Sequence, residues 1–207
     1  PVFGDGNTVA AIAVSSVGDL AYIPSPPVSW PQSRLVTVDR TGGVEALPAP
    51  ARGYGALDVS PDGSQLAVSI YSPTEVGIWI YDLPRQTLTR LTPPEGESYF
   101  PRWSPDGKRI VFDSLAAGIR TLRWQRSDGS APPELLAEEA AYPSSWSPDG
   151  RELAMVKGRE TWVLNFRVDP PNSRPVVQWV DAQGYGKAWH PAFSPDGRWI
   201  IFAAGYD

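Results

Sequence analysis

The sequence predicts an all-β fold, built from a four-stranded antiparallel unit that repeats about four and a half times. Three observations predict it. First, the tetrapeptide Ser-Pro-Asp-Gly occurs four times, beginning at Ser60, Ser104, Ser147 and Ser194, at offsets of 44, 43 and 47 residues. Second, its surroundings repeat: "LDVSPDGSQLAVS", "PRWSPDGKRIVFD", "SSWSPDGRELAMV" and "PAFSPDGRWIIFA" each carry Val, Trp or Phe before the Ser and an apolar cluster after the Gly. Third, proline (23) and glycine (19) are frequent but spread along the whole chain, which reads as many short elements joined by turns. Internal repeats of this length with several short strands each are the signature of propeller blades.

Each element of the unit has its own justification. The first two strands flank the tetrapeptide as a hairpin. A weaker copy, "IAVSSVGDLAYIP", begins at Ile12 and is one residue shorter at the turn. The third strands are read at residues 34–40, 77–83, 119–127 and 161–168, which alternate or run apolar and are rich in β-branched and aromatic residues. Short fourth strands follow near "VEALP", "LTRLT", "PELLA" and "PVVQWV". The best helical candidate, residues 132–141, is too short and starts with a Pro pair. The blades are thus expected at about 8–48, 53–92, 98–137 and 140–180, with a partial blade at 187–207, all within one domain or fragment spanning 1–207.

The turn has a physical account. Proline presets φ for the second position of a type I turn, Asp is tolerated next, and Gly takes the left-handed conformation that closes a hairpin with a bulge. Ser at the first position can accept a bond from the turn. Every letter therefore has a local structural task.

Composition removes several functions. The hydrophobic content of 42% supports a real core, and nine Trp suit half-buried pleated surfaces. The net charge of −5, without a basic stripe, argues against nucleic acid. With no Cys there are no disulfides, thiolate metal sites or cysteine nucleophiles. The chain begins at Pro1 without an initiating Met, an apolar leader or a run of 18 apolar residues, and is read as a piece of a longer protein with no membrane contact of its own.

The pattern Pro-x-aromatic-Ser-Pro-Asp-Gly followed by an apolar strand resembles the TolB-like propeller family, a WD-repeat-like class, over nearly the whole chain. "VSSVGDLAY", "VTVDRTGGVEALPAP" and "IWIYDLPRQTLTRLT" most resemble the propeller region behind bacterial serine/threonine kinase domains. The same repeat type occurs in periplasmic TolB and in propellers preceding prolyl-oligopeptidase-like domains. The resemblance implies a six-bladed ring, of which about 80 further residues would complete the closure. It leaves open closure by a second chain, a smaller ring, and an outer strand supplied by residues 1–4. It implies a bacterial protein acting outside the cytoplasm, in the periplasm or at the cell surface. A propeller fold by itself does not fix function.

Catalytic motifs are few. His190 is the only histidine, no Gly-x-Ser-x-Gly elbow exists, and the position of His190 before Pro191 on an inner strand reads as structural. Neither a phosphate loop nor a His-Glu-x-x-His zinc motif occurs, so no cofactor is expected and the chain is read as non-catalytic. "GDGNT" (4–8) and the turn residues Asp62, Asp106, Asp149 and Asp196 offer oxygen ligands for calcium, against the default of solvated turn carboxylates.

Binding candidates come from the segments that enter each first strand. Tyr99, Tyr142 and Trp189 lie five residues before the Ser, and Tyr54 six before. These segments converge on one mouth of the central channel, where the aromatic set reads as a ligand or peptide platform or as wedge packing between blades. Two residues before each Ser stand Asp58, Arg102, Ser145 and Ala192, which vary while their neighbours repeat; Asp58 and Arg102 are therefore candidates for the channel wall. The expected role is a sensor or scaffold module for a protein, peptide or small ligand. A TolB-like envelope scaffold and the gating propeller of a serine peptidase are the alternatives, and an incomplete ring would favour self-association.

Overall fold

In this computed structural model, residues 12–14, 20–22, 32–72, 74–138, 141–158, 160–168, 171–176 and 187–205 are described. They form four four-stranded sheets and one two-stranded sheet, each wound in chain order and antiparallel throughout. The first sheet holds β1 (Ile12–Val14), β2 (Leu20–Tyr22), β3 (Val36–Val38) and β4 (Val44–Ala46). The second holds β5 (Gly53–Val59), β6 (Gln65–Tyr71), β7 (Val76–Asp82) and β8 (Thr87–Arg90). The third holds β9 (Glu97–Trp103), β10 (Arg109–Ala116), β11 (Ile119–Arg126) and β12 (Glu134–Ala137). The fourth holds β13 (Tyr142–Trp146), β14 (Glu152–Lys157), β15 (Glu160–Asn165) and β16 (Asn172–Pro175), and the last holds β17 (Lys187–Phe193) and β18 (Ile200–Gly205).

This is the expected all-β propeller architecture, with the blades present in part. The segment read as the best helical candidate contains strand β12 instead. A fourth strand runs over Asn172–Pro175, where the hairpin pairs Asn165 with Asn172 across a short turn; most of the expected "PVVQWV" stretch lies outside the described residues. Residues 1–4 and the "GDGNT" segment lie outside the described residues, as do residues 177–180. No helix among the described residues is long and apolar enough to cross a membrane.

The core is a series of wedges between successive sheets. Leu35 and Ala49 pack with Tyr54, Leu57, Leu66 and Val68; Ala67, Ile78 and Ile80 with Trp103, Ile110 and Phe112; Val111 and Leu122 with Leu153, Met155 and Leu164. A blade flanked on both faces needs apolar side chains on both faces. Hence β6, β10 and β14 are buried almost end to end, whereas β4, β8, β12 and β16 at the rim are mostly exposed. The first strands β1, β5, β9, β13 and β17 neighbour one another in sequence order, which places them innermost.

The four Ser-Pro-Asp-Gly turns are the same object four times. In each, the Gly amide donates to the Ser carbonyl at 2.8–2.9 Å, and the Gly φ is between 69° and 74°. The Ser hydroxyl donates to the Asp carboxylate, as in Ser104 to Asp106 at 2.6 Å, and accepts the amide five residues on, as from Arg109 at 3.0 Å. The same pair of bonds recurs at Ser60, Ser147 and Ser194. The carboxylate also accepts the amide two residues ahead, from Ser64, Lys108, Arg151 and Arg198.

These turns also join blades, which a reading of one repeat at a time does not show. A Cβ placed on Gly150 would stand 3.4 Å from Pro105, and one on Gly197 would stand 3.3 Å from Pro148. Gly107, Gly150 and Gly197 therefore each pack on the proline of the preceding turn.

Candidate functional site

The opposite ends of the inner strands are built differently. In β5, β9, β13 and β17 the register slips between Tyr54 and Leu57, at Phe100–Pro101, between Pro143 and Ser145, and between Trp189 and Ala192. A bulge bends the strand and re-aims its side chains. At two of these bulges a non-glycine residue takes the left-handed conformation: Phe100 at φ 54° and His190 at φ 53°. For a bulky residue that is an outlier which the surrounding structure must hold in place.

In the third sheet the bulge builds a cluster at the end of the blades opposite the Ser-Pro-Asp-Gly turns, the end read from the sequence as the channel mouth. The Phe100 ring meets Tyr142 edge-on at 5.2 Å and lies 6.0 Å from Tyr99, whose ring is 5.9 Å from Tyr71. The Arg120 guanidinium sits 5.2 Å from the Tyr99 ring and 5.8 Å from the Tyr142 ring. Below it, Arg120 donates to the carboxylate of Asp113, which is fully buried. The Tyr99 hydroxyl donates to Glu97. Hairpin register explains how these residues meet: Asp113 pairs with Tyr99 across β9–β10, and Leu115 pairs with Arg120 across β10–β11. Tyr71 comes from the second sheet and Tyr142 from the fourth, so three blades contribute.

The electrostatics of the cluster follow from burial. Desolvation pushes the Asp113 carboxyl up to about 6, against the opposing pull of Arg120. Its second oxygen has no hydrogen-bond partner among the described residues. Burial likewise raises Tyr71 to about 12, and burial together with Glu97 raises Tyr99. Both phenols stay neutral donors at physiological pH. The mouth thus offers aromatic faces around a partly exposed cation, whose charge is offset by one buried carboxylate.

The candidates from the sequence separate into three groups. Tyr99 and Tyr142 come together around Arg120. Tyr54 is buried in the first wedge, where its hydroxyl donates to the Pro50 carbonyl at 2.6 Å and burial raises it to about 12. Trp189 belongs to β17, but its side chain lies outside the described residues.

Asp58 and Arg102 form the third group, on the inner strands. Asp58 accepts the Trp103 amide of the next blade at 2.7 Å, and Ser145 accepts the Phe193 amide of its next blade at 3.1 Å. Arg102 is buried and donates forward to the Ser144 carbonyl of the next blade at 2.7 Å, and to the carbonyl of its own chain neighbour Pro101 at 2.9 Å. Varied side chains at one repeat position thus perform one task, stitching each inner strand to its successor. Desolvation raises the Asp58 carboxyl and lowers Arg102, and each charge partly offsets the other's shift. His190 is half-buried, and burial, with Arg102 nearby, holds its imidazole below the ordinary value.

Arg120, Asp113 and Phe100 were not singled out from the sequence. A signal existed for Asp113: it is a carboxylate inside the apolar run "RIVFDS", where the other repeats place Ser69, Val156 and Ala203. Among the described residues no group of three or more His, Asp or Glu side chains is placed to hold a metal ion.

The chain was compared with known proteins. It is 30% identical to an uncharacterized protein of Agrobacterium fabrum over 152 residues, covering 72% of this chain and 50% of that protein. It is 26% identical to the uncharacterized peptidase YuxL of Bacillus subtilis, covering 83% of this chain and 31% of the peptidase. The chain thus spans between about a third and a half of these relatives. Among solved structures, one assigned to TolB from Agrobacterium tumefaciens superposes with a TM-score of 0.78 at 21% identity, covering 95% of this chain and 70% of that one. At that identity the likeness speaks for the fold. The model of the TolB beta propeller domain matches residues 37–207, most of the chain, which therefore belongs to that family.

Proposed function

We propose that this chain is a non-catalytic binding module, the sensor or scaffold propeller of a larger bacterial protein, which engages a protein or peptide partner at its channel mouth. The observation that carries the reading is Arg120, held between the Tyr99 and Tyr142 rings over buried Asp113. Tyr and Arg dominate contact energies at interfaces because they bring large rigid surface together with directed hydrogen bonds. The cluster stands at the end of the blades where the repeats diverge. The likeness of "IWIYDLPRQTLTRLT" to kinase-linked propellers favours a receptor context, with the propeller outside the cytoplasm. A small ligand fits the same chemistry.

Two further readings have observations of their own. The superposition on a TolB structure favours an envelope scaffold. The match to a Bacillus subtilis peptidase favours a propeller that gates an attached hydrolase domain. The domains encoded beside this chain separate the three: a kinase with a membrane span, a signal peptide alone, or a hydrolase with a Gly-x-Ser-x-Gly elbow.

The test of the mouth is selection of peptides from a displayed random library on the wild-type propeller, followed by affinity measurements on Tyr99→Ala, Tyr142→Ala and Arg120→Ala. Weakening of about tenfold or more in each is expected. Selected peptides that bind all three variants as tightly as wild type would sink the reading.

A further inference from the structure

On the turn face, the wedge between the third and fourth sheets stays open. It forms a cavity of about 640 Å³, within the range of ordinary binding pockets. Trp124, Trp146 and Phe166 line it; Phe166 stacks on Trp124 at 5.8 Å and lies 5.0 Å from Trp146. Lys108, Arg109 and Arg126 stand at its rim, and the Arg109 guanidinium lies over the Trp124 ring at 3.7 Å.

The repeat supplies an internal control for this groove. Strand register makes Trp124 the counterpart of Ile80 in the second sheet and Val163 in the fourth. The opposed pair Arg109–Arg126 replaces Gln65–Asp82 and Glu152–Asn165. Trp146 replaces Trp103, which is only 4% exposed in the closed wedge before it. One wedge of the series therefore exchanges an aliphatic side chain for an indole and a carboxylate for a second cation.

Two arginines directly opposite each other across a sheet repel, and a repeat that avoids this elsewhere gains no stability from it. Arg126 is relieved by Asp128, and Asp149 on the facing rim is engaged by Arg167. Asp106 is held within its own turn by Ser104 and Lys108. Lys108 and the Arg109 head group have no carboxylate within ion-pairing distance among the described residues. Lys108 and Arg109 share only the electrostatic pull of Asp106, one carboxylate for two cations, so the charge in excess at this rim is positive in a chain whose net charge is −5.

We propose that this groove docks an acidic, extended peptide segment of a partner protein, at a second site independent of the mouth. Carboxylates of the segment engage Lys108 and the guanidinium of Arg109, which binds carboxylates bidentately. An intervening Pro or aromatic side chain lies on the Trp124–Phe166 floor.

The test uses two capped peptides, Glu-Glu-Trp-Pro-Glu-Glu and Lys-Lys-Trp-Pro-Lys-Lys, titrated into the wild-type chain while the tryptophan indole N–H signals are followed by NMR. The acidic peptide is expected to shift the Trp124 and Trp146 signals and to weaken as salt is raised. Arg109→Gln and Trp124→Ile install the side chains that the preceding blade carries at these positions, so both variants are expected to fold. Each should weaken acidic-peptide binding by about tenfold. Tyr142→Ala at the mouth should leave that binding unchanged. Equal binding of the lysine peptide, unchanged affinity in Arg109→Gln, or shifts confined to other indoles would overturn the proposal. Binding of an acidic polysaccharide such as polygalacturonate in place of the acidic peptide would overturn the peptide assignment.

Discussion

The turn ends of the blades and the mouth end of the third blade treat their carboxylates in opposite ways. At the turn end, Asp62, Asp106, Asp149 and Asp196 each accept a Ser hydroxyl first and an amide or two beside it, and all four are held below the ordinary carboxylate range. At the mouth end, Asp113 is buried and pushed up to about 6. The turn end repeats one arrangement four times, puts glycine at the left-handed position of each Ser-Pro-Asp-Gly turn and joins blade to blade. The mouth end differs in every blade, puts Phe100 and His190 in left-handed conformations and gathers aromatic rings around Arg120. The lesson is a division of labour along one strand: repetition specifies the blades, and on the proposed reading departure from repetition supplies the recognition chemistry.

The largest stability effect should come from breaking the turn end. Gly150→Val forces a β-branched residue to φ 69° and brings a Cβ to 3.4 Å from Pro105, so a loss of about 1–3 kcal/mol is expected in urea denaturation. Next comes Ser60→Ala, which strands the Gln65 amide and removes a donor from Asp62, for a loss of about 1–2 kcal/mol by the same measurement.

The pH dependence sharpens the contrast. Asp113 binds its proton more tightly in the folded chain than in the unfolded one, whose value is about 3.9. Its contribution therefore falls as pH rises from about 4 through about 6, because the folded state then carries a buried charge. The turn carboxylates run the other way: their contribution is present above the unfolded value and is lost as pH falls through their lowered folded values. Carboxyl NMR titration should place the Asp113 midpoint near 6 and those of Asp62, Asp106, Asp149 and Asp196 below the ordinary range, and Asp113→Asn should reduce the loss of stability between about pH 4 and 6.

The smallest stability effect is expected from Phe100→Gly. Relief of the left-handed strain, about 1–2 kcal/mol, offsets the lost ring contacts with Tyr99 and Tyr142. Thermal unfolding should move little while binding at the mouth weakens.

Much of the fold was legible because the turn chemistry is local. Ser, Pro, Asp and Gly act on one another within four residues, and apolar runs follow from blades being flanked on both faces. The site was legible only in part. Tyr99 and Tyr142 stand out by their spacing, but Tyr54 at nearly the same repeat position is drawn into a wedge by its hydroxyl bond to Pro50. Arg120 and Asp113 meet only through the register of two hairpins, and no pattern within one strand records that. The bulges at Phe100 and His190 were equally silent, since a register slip is a relation between strands. Asp58 and Ser145 read as variable, yet they make the same bond to the next blade. What repeats there is the bond, and the side chains that make it differ.

The most direct test of the division of labour measures stability and affinity on the same two variants, Ser60→Ala at the turn end and Tyr142→Ala at the mouth, with a peptide selected on the wild-type propeller. Ser60→Ala should lose about 1–2 kcal/mol in urea and keep its affinity, while Tyr142→Ala should weaken binding by about tenfold and change stability less than Ser60→Ala does. Loss of affinity in Ser60→Ala with unchanged binding in Tyr142→Ala would contradict the account.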